Sequence, residues 1–177
     1  MTLLVLTLTL LSEWVWSSPV DFKAQSIRIS MLQEPPSLNS SKATDLVSFF
    51  VLGHTTEGLL RYDRRGRLVA GVAESWDVTP TTLTFRLRPD ARWHDGSKVT
   101  AADFVYAWQN VNDPAVAAPF AAIMYPIKNA EAIQNGELPV AALGVSSPSE
   151  RTLVVELGRP CGYCLGLMAH ATFYPIN

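Results

Sequence analysis

Alternating polar and apolar residues predict a strand close to the start of the chain. In residues 26–31, Ile27, Ile29 and Met31 fall on one face, as expected for a strand that buries that face. Two prolines in residues 34–37 end the segment, because proline has no N–H to donate to a neighbouring strand.

The same alternation recurs in residues 82–87, where Leu83, Phe85 and Leu87 share one face. Thr84 and Arg86 therefore face outward. Residues 152–157 predict a further strand of similar length.

A helix is predicted to begin at Thr100. The Thr100 hydroxyl can cap the free amides of the first turn, and Asp103 can answer as the second half of a capping box. Phe104, Trp108 and Val111 follow at helical spacing and form one apolar stripe.

Three further segments show helical features. Residues 45–60 are mostly apolar and predict a partial helix, residues 129–134 predict a short helix that Gly136 stops, and residues 164–169 can begin another. Residues 63–66 carry three charges and a glycine, which predicts an exposed hairpin tip. Strands mixed with separate helices, without strict βαβ order, predict a mixed α and β fold.

Composition agrees with one packed domain, since 48% of the 177 residues are hydrophobic. The formal net charge of −2 leaves no basic excess, which argues against nucleic acid as a partner. No run of about 18 uncharged apolar residues occurs, so the sequence does not predict a transmembrane helix.

The N-terminal segment predicts export. Residues 2–12 are uncharged and rich in leucine, the length of a signal-peptide core, and Val15 and Ser17 offer small side chains at the two positions that a signal peptidase reads. We therefore expect a signal peptide at residues 1–17 and a periplasmic or other extracytoplasmic location. No Lys or Arg precedes the apolar run, so a mis-assigned start codon or an ordinary buried strand stays open as the alternative.

A series of ordered blocks resembles the extracytoplasmic solute-binding proteins of peptide ABC importers. The resemblance covers nearly everything from residue 27 to residue 177. Its blocks are residues 57–60, 71–76, 84–88, 93–96 and 99–104, extended by 143–145, 152–153 and 173–175.

This resemblance implies a periplasmic-binding-protein type II-like fold, a bilobal clamshell of which the chain supplies only an incomplete, N-terminal portion. By the family pattern, residues 18–38 start the ligand-binding lobe, residues 39–156 form an inserted domain, and residues 157–177 return into the first lobe before the match stops. The closing lobe would lie beyond.

The resemblance also implies a ligand and its contacts. The family holds an extended oligopeptide through the peptide backbone, so Thr44, Asp45 and Leu46 are expected to contact it with their main chain, and Phe120 and His170 to face the cleft. Thr44 replaces an acidic residue and Asp45 a glycine, so a carboxylate could attract the ligand's amine or repel its carboxylate. Leu46 and Phe120 could instead be core residues, and His170 a structural histidine.

The partners that the resemblance implies are an oligopeptide and the membrane permease subunits of an ABC importer. A monomer is expected, with no cofactor, no metal and no catalytic activity. A truncated or decayed standalone protein with an interaction role is the alternative.

Cys161 and Cys164 form a CxxC motif, which keeps a thiol oxidoreductase or half a metal site open as a rival. In an oxidising compartment the two thiols could simply pair. His94 and Asp95 precede a glycine and are expected to form a turn and not a catalytic pair.

Overall fold

The computed structural model describes residues 19–177, and the predicted signal peptide at residues 1–17 lies outside them. The chain divides into two compact units, residues 1–33 and residues 34–177.

In the described part of the first unit, strand β1 (Val20–Asp21) pairs antiparallel with strand β2 (Ser26–Ile27). The prediction of a buried strand over residues 26–31 is wrong, because β2 stops at Ile27. Ile27, Ile29 and Met31 are 62%, 45% and 43% exposed. A partner of two residues provides neither further ladder bonds nor an apolar cover, so the alternation has nothing to bury its face against.

The second unit contains a four-stranded antiparallel sheet and a separate hairpin. The strands are β3 (Leu60–Tyr62), β4 (Leu68–Ala70), β5 (Ala73–Val78), β6 (Thr82–Leu87), β7 (Val145–Ser149) and β8 (Thr152–Glu156). The sheet has the order β5–β6–β8–β7, and the hairpin pairs β3 with β4.

The central strand β6 confirms the predicted alternation. Leu83, Phe85 and Leu87 are all at most 1% exposed, and Arg86 on the opposite face is exposed. The neighbouring β8 confirms the strand predicted at residues 152–157 to within one residue.

Helices and 3₁₀ turns pack around this sheet. The α-helices are α1 (Leu46–Thr55), α2 (Ala101–Asn112), α3 (Ala130–Gln134) and α4 (Cys164–Leu167), and the 3₁₀ turns are Ala121–Met124, Val140–Ala142 and Ala171–Phe173. All four predicted helical segments are confirmed, as is the hairpin tip, where Gly66 takes a φ of +71°.

Helix α2 places the largest side chains of the core against the sheet. Thr100 caps it as predicted, and Asp103 Oδ2 accepts a hydrogen bond from the Thr100 backbone N–H at 2.7 Å. Phe104 and Trp108 are fully buried and Val111 is 2% exposed, which stabilises the fold by roughly 2–3 kcal/mol for each such side chain.

None of the helices described in residues 19–177 has the length and apolar character that are needed to span a membrane.

Candidate functional site

The five predicted contact residues lie on three separate segments of the second unit. Thr44, Asp45 and Leu46 lead into α1, Phe120 precedes the 3₁₀ turn Ala121–Met124, and His170 precedes the 3₁₀ turn Ala171–Phe173. Leu46 is 86% exposed, so it is not a core residue, whereas Phe120 and His170 are partly buried.

Asp45 is the N-cap of α1. Its Oδ1 accepts from the Ser48 backbone N–H at 2.9 Å and its Oδ2 from the Ser48 hydroxyl at 2.7 Å. These hydrogen bonds lower the pKa of Asp45 below its ordinary value, chiefly through the Ser48 side chain. Asp45 therefore stabilises the start of the helix, and its carboxylate stays charged.

The main chain before α1 keeps hydrogen-bonding capacity. Within residues 19–177, the backbone N–H groups of Thr44 and Leu46 have no hydrogen-bond partner, and both residues are exposed. The loop itself is held in place, because the Lys42 ammonium group donates to the backbone carbonyl of Val116. This contact ties the loop to the segment that leads to Phe120.

Three rings from three segments meet close to this loop. Phe49 of α1 lies 5.9 Å from Phe120 and 5.5 Å from His170 between ring centroids, and Phe120 lies 5.9 Å from His170. We call these three residues the aromatic cluster; the contacts are tilted or edge-on, as aromatic rings prefer. Phe120 and His170, which the sequence analysis expected to face the same cleft, are therefore in contact. The sequence analysis did not name Phe49 as their neighbour. A signal for it existed, since Phe49 follows Leu46 by three residues and shares its helix face.

His170 is positioned by the core. Its Nδ1 accepts from the Thr172 backbone N–H at 3.2 Å, which leaves the proton of the neutral ring on Nε2. The following turn is fixed because the Trp108 indole N–H donates to the Phe173 carbonyl at 2.9 Å, and the two rings stack edge to face. Partial burial lowers the pKa of His170 below its ordinary value, so the ring is neutral at pH 7.

Phe120 is positioned by a partly buried polar network. The Gln134 amide donates to Asn112 Oδ1 at 2.8 Å and to the Ala121 carbonyl at 2.9 Å. Asn112 in turn donates to the Trp108 carbonyl at 2.9 Å. Helices α2 and α3 therefore both hold the turn that carries Phe120, since a buried amide that lost these partners would remain unsatisfied.

The two rival motifs each form a local structure in the described chain. Cys161 and Cys164 form a disulfide, and Cys164 is 1% exposed at the start of α4. Asp95 accepts from the Ser97 backbone N–H and hydroxyl, which lowers its pKa and closes the predicted turn with Gly96 at a φ of +87°. Among residues 19–177, no group of three His, Cys, Asp or Glu side chains could hold a metal ion.

Together, the site offers unpaired backbone donors beside partly exposed rings. Such an arrangement can add an extended peptide through its main chain and place an apolar side chain of that peptide against the rings.

Comparison with known families gives a match over most of the chain. The model for bacterial extracellular solute-binding proteins, family 5 Middle, matches residues 67–177.

Individual relatives agree with this match. The periplasmic murein peptide-binding protein MppA of Escherichia coli (strain K12) is 39% identical over 147 residues, which cover 81% of this chain and 27% of that relative. Among solved structures, the substrate-binding domain of an oligopeptide ABC transporter from Bacillus anthracis superposes with a TM-score of 0.82 at 44% identity, over 84% of this chain and 29% of the other. The peptide-bound OppA of Listeria monocytogenes has a TM-score of 0.78 at 37% identity, over 80% of this chain and 28% of the other.

These neighbours confirm the expected fold class, a mixed α and β, type II periplasmic-binding-protein architecture of which the chain is a part. The chain spans less than a third of the length of the relatives that it matches.

Proposed function

Because the chain belongs to family 5 of the bacterial extracellular solute-binding proteins, we propose that it is part of the substrate-binding subunit of a peptide ABC importer. In this role it captures extended oligopeptides outside the cytoplasm and delivers them to membrane permease subunits, as a monomer. The family binds solutes and is not one of enzymes, which fits the expectation of a protein without catalytic activity.

The observation that carries the proposal is the convergence of the aromatic cluster with the exposed main chain at Thr44–Leu46. The N–H groups of Thr44 and Leu46 are free to pair with carbonyl groups of a peptide. Hydrogen bonds to a peptide backbone do not depend on side-chain identity, so such a site accepts many sequences.

Asp45 gives this site a charge preference. Its carboxylate is held in the ionised state by Ser48 and lies within the same loop. A negative charge there favours the amino end of a peptide over its carboxylate end. The acidic replacement therefore orients the ligand by charge while it caps the helix.

Phe120 and His170 contribute the wall of the site, with Phe49 between them and the helix. A neutral imidazole and two phenyl rings present apolar faces and edges, which suit an apolar or aromatic side chain of the ligand. The limits of the lobes stay as proposed from the family pattern, with residues 18–38 and 157–177 in the ligand-binding lobe and residues 39–156 as the inserted domain.

Nuclear magnetic resonance on this chain tests the proposal. We expect millimolar tripeptides to shift the amide signals of Thr44 and Leu46 and the ring signals of Phe120 and His170. An Ala-Phe-Ala peptide should act at lower concentration than Ala-Ala-Ala, because its ring can pack on the cluster. Weak binding is expected, because the chain supplies only part of the length of its relatives.

The matched variants are Phe120→Ala and Tyr106→Ala. Tyr106 is an exposed aromatic residue of α2, at 59%, and its removal should leave the peptide shifts unchanged. Phe120→Ala should weaken the Ala-Phe-Ala effect by about threefold or more, because one ring contact is lost. Shifts that are absent in the unsubstituted chain, or that survive Phe120→Ala undiminished, would contradict the site.

A further inference from the structure

Positive charge is concentrated on one hairpin of an otherwise acidic chain. Residues 61–67, here called the arginine hairpin, contain four arginines and one aspartate, a formal charge of +3. The whole chain carries −2, so the remaining residues together carry −5. A local excess of positive charge on an otherwise negatively charged chain indicates a surface that contacts a negatively charged partner.

The single acid of the hairpin is already engaged. Asp63 accepts from the backbone N–H groups of Arg65 and Arg67 at 2.8 and 2.9 Å, and its carboxylate pairs with the Arg67 guanidinium at 2.7 Å. These contacts lower the pKa of Asp63 and neutralise Arg67. Arg61, Arg64 and Arg65 are exposed and have no ion-pair partner within residues 19–177.

Elsewhere in the described chain, several exposed or half-exposed cations have acidic partners. Arg88 pairs with Glu57 at 2.7 Å, Arg151 with Glu74 at 2.7 Å, and Lys128 with Glu156 at 2.7 Å. The hairpin differs from these pairs because three of its four arginines are exposed within seven residues and have no ion-pair partner in the described chain.

The backbone holds these arginines on a fixed projection. Strands β3 and β4 pair in register, and the turn between them closes through the Gly66 N–H bond to the Asp63 carbonyl at 3.0 Å. At the base of the hairpin, a Cβ on Gly71 would lie 2.5 Å from the Gly58 carbonyl oxygen, so the two chain segments are packed without room for a side chain. The charges therefore sit on a rigid tip and not on a flexible tail.

We propose that the arginine hairpin is an electrostatic docking surface for a bilayer of anionic phospholipids. Guanidinium groups bind phosphate through paired hydrogen bonds, and an anionic bilayer presents phosphates at high density without demanding a shaped partner. Tyr62, 57% exposed on the same hairpin, has the amphipathic ring that favours the headgroup region. This surface is independent of the peptide site and would act whether or not that site binds peptides.

Vesicle co-sedimentation with the full chain tests the inference. We expect binding to phosphatidylcholine vesicles that contain about 40 mol % phosphatidylglycerol, but not to pure phosphatidylcholine, at about 20 mM salt. The double variant Arg64→Ser/Arg65→Ser should bind roughly 30-fold more weakly, about fivefold for each charge removed. Salt at about 0.5 M should abolish binding by screening.

The control variant is Arg92→Ser/Arg159→Ser, which removes two exposed arginines outside the hairpin and changes the net charge equally. It should retain binding within about twofold. Equal losses in both variants, or no preference for phosphatidylglycerol, would overturn the proposal. Hairpin-dependent binding to soluble polyglutamate without vesicle binding would also overturn it, and would point to an acidic protein instead.

Discussion

Helices α1 and α2 have similar lengths and opposite relations to the core. Helix α2 buries Phe104, Ala107, Trp108 and Val111 against the sheet, and Asn112 is the polar residue of this helix that is buried with them. Helix α1 is the more apolar of the two, yet only Ser48 and Leu52 are buried in it.

The difference shows that apolar content does not by itself decide burial. Leu46 is 86% and Phe50 45% exposed on α1, although the sheet and α2 bury smaller side chains completely. Helix α2 serves stability, while α1 presents the loop and the ring of Phe49 that form the proposed site. A face that stays apolar and exposed is characteristic of a surface that contacts something else.

The largest effect is expected from truncation of the core helix. Trp108→Ala should lower the free energy of unfolding by about 3–5 kcal/mol, because it leaves a cavity and breaks the hydrogen bond to the Phe173 carbonyl. Leu46→Ala on α1 should change it by less than about 0.5 kcal/mol. Urea denaturation measures both, and a comparable loss at Leu46 would erase the distinction between the two helices.

A pair of glycine substitutions sharpens the comparison. Gly71→Ala should cost about 2–3 kcal/mol, because the new Cβ would lie 2.5 Å from the backbone oxygen of Gly58. Gly53→Ala on α1 should stabilise by about 0.5–1 kcal/mol, since nothing lies within 4 Å of that Cβ and alanine favours the helix. Thermal unfolding followed by circular dichroism distinguishes the signs. A loss at Gly53 would mean that its side of α1 is covered.

The smallest effect concerns the pH dependence of His170. Its folded-state pKa lies below the ordinary 6.5, so the unfolded chain binds the proton more tightly. Stability is therefore fully present above pH 6.5 and falls as the pH drops below that value toward the folded pKa. His170→Gln should flatten this fall in a series of melting temperatures, with His94→Gln as a control that removes an exposed histidine. An unchanged slope in His170→Gln would show that the imidazole is not desolvated.

Local patterns correctly predicted the elements that pack directly against the core. The alternation of β6 and the capping of α2 predicted their structures because the sheet and the core bury one face of each element. The alternation at residues 26–31 failed because its only partner in the described chain is two residues long. The helix-capping role of Asp45 was also missed, since capping depends on where α1 begins.

The site required long-range information. Phe49, Phe120 and His170 are separated by 50 residues or more in sequence, and no local periodicity relates them. Only the resemblance placed Phe120 and His170 at one cleft. The resemblance did not include Phe49, which was found only from the packing of α1 against Phe120 and His170.

The redox state of Cys161 and Cys164 reports whether a molecule folded in an oxidising or a reducing compartment. Thiols of this kind stay reduced in most cytosols and become oxidised after export. Cys164 is buried once the chain has folded, so a reagent that alkylates free thiols under denaturing conditions would count the molecules that never left a reducing compartment. The mass added by alkylation thus reports, in any preparation of the protein, the fraction of molecules in which this disulfide did not form.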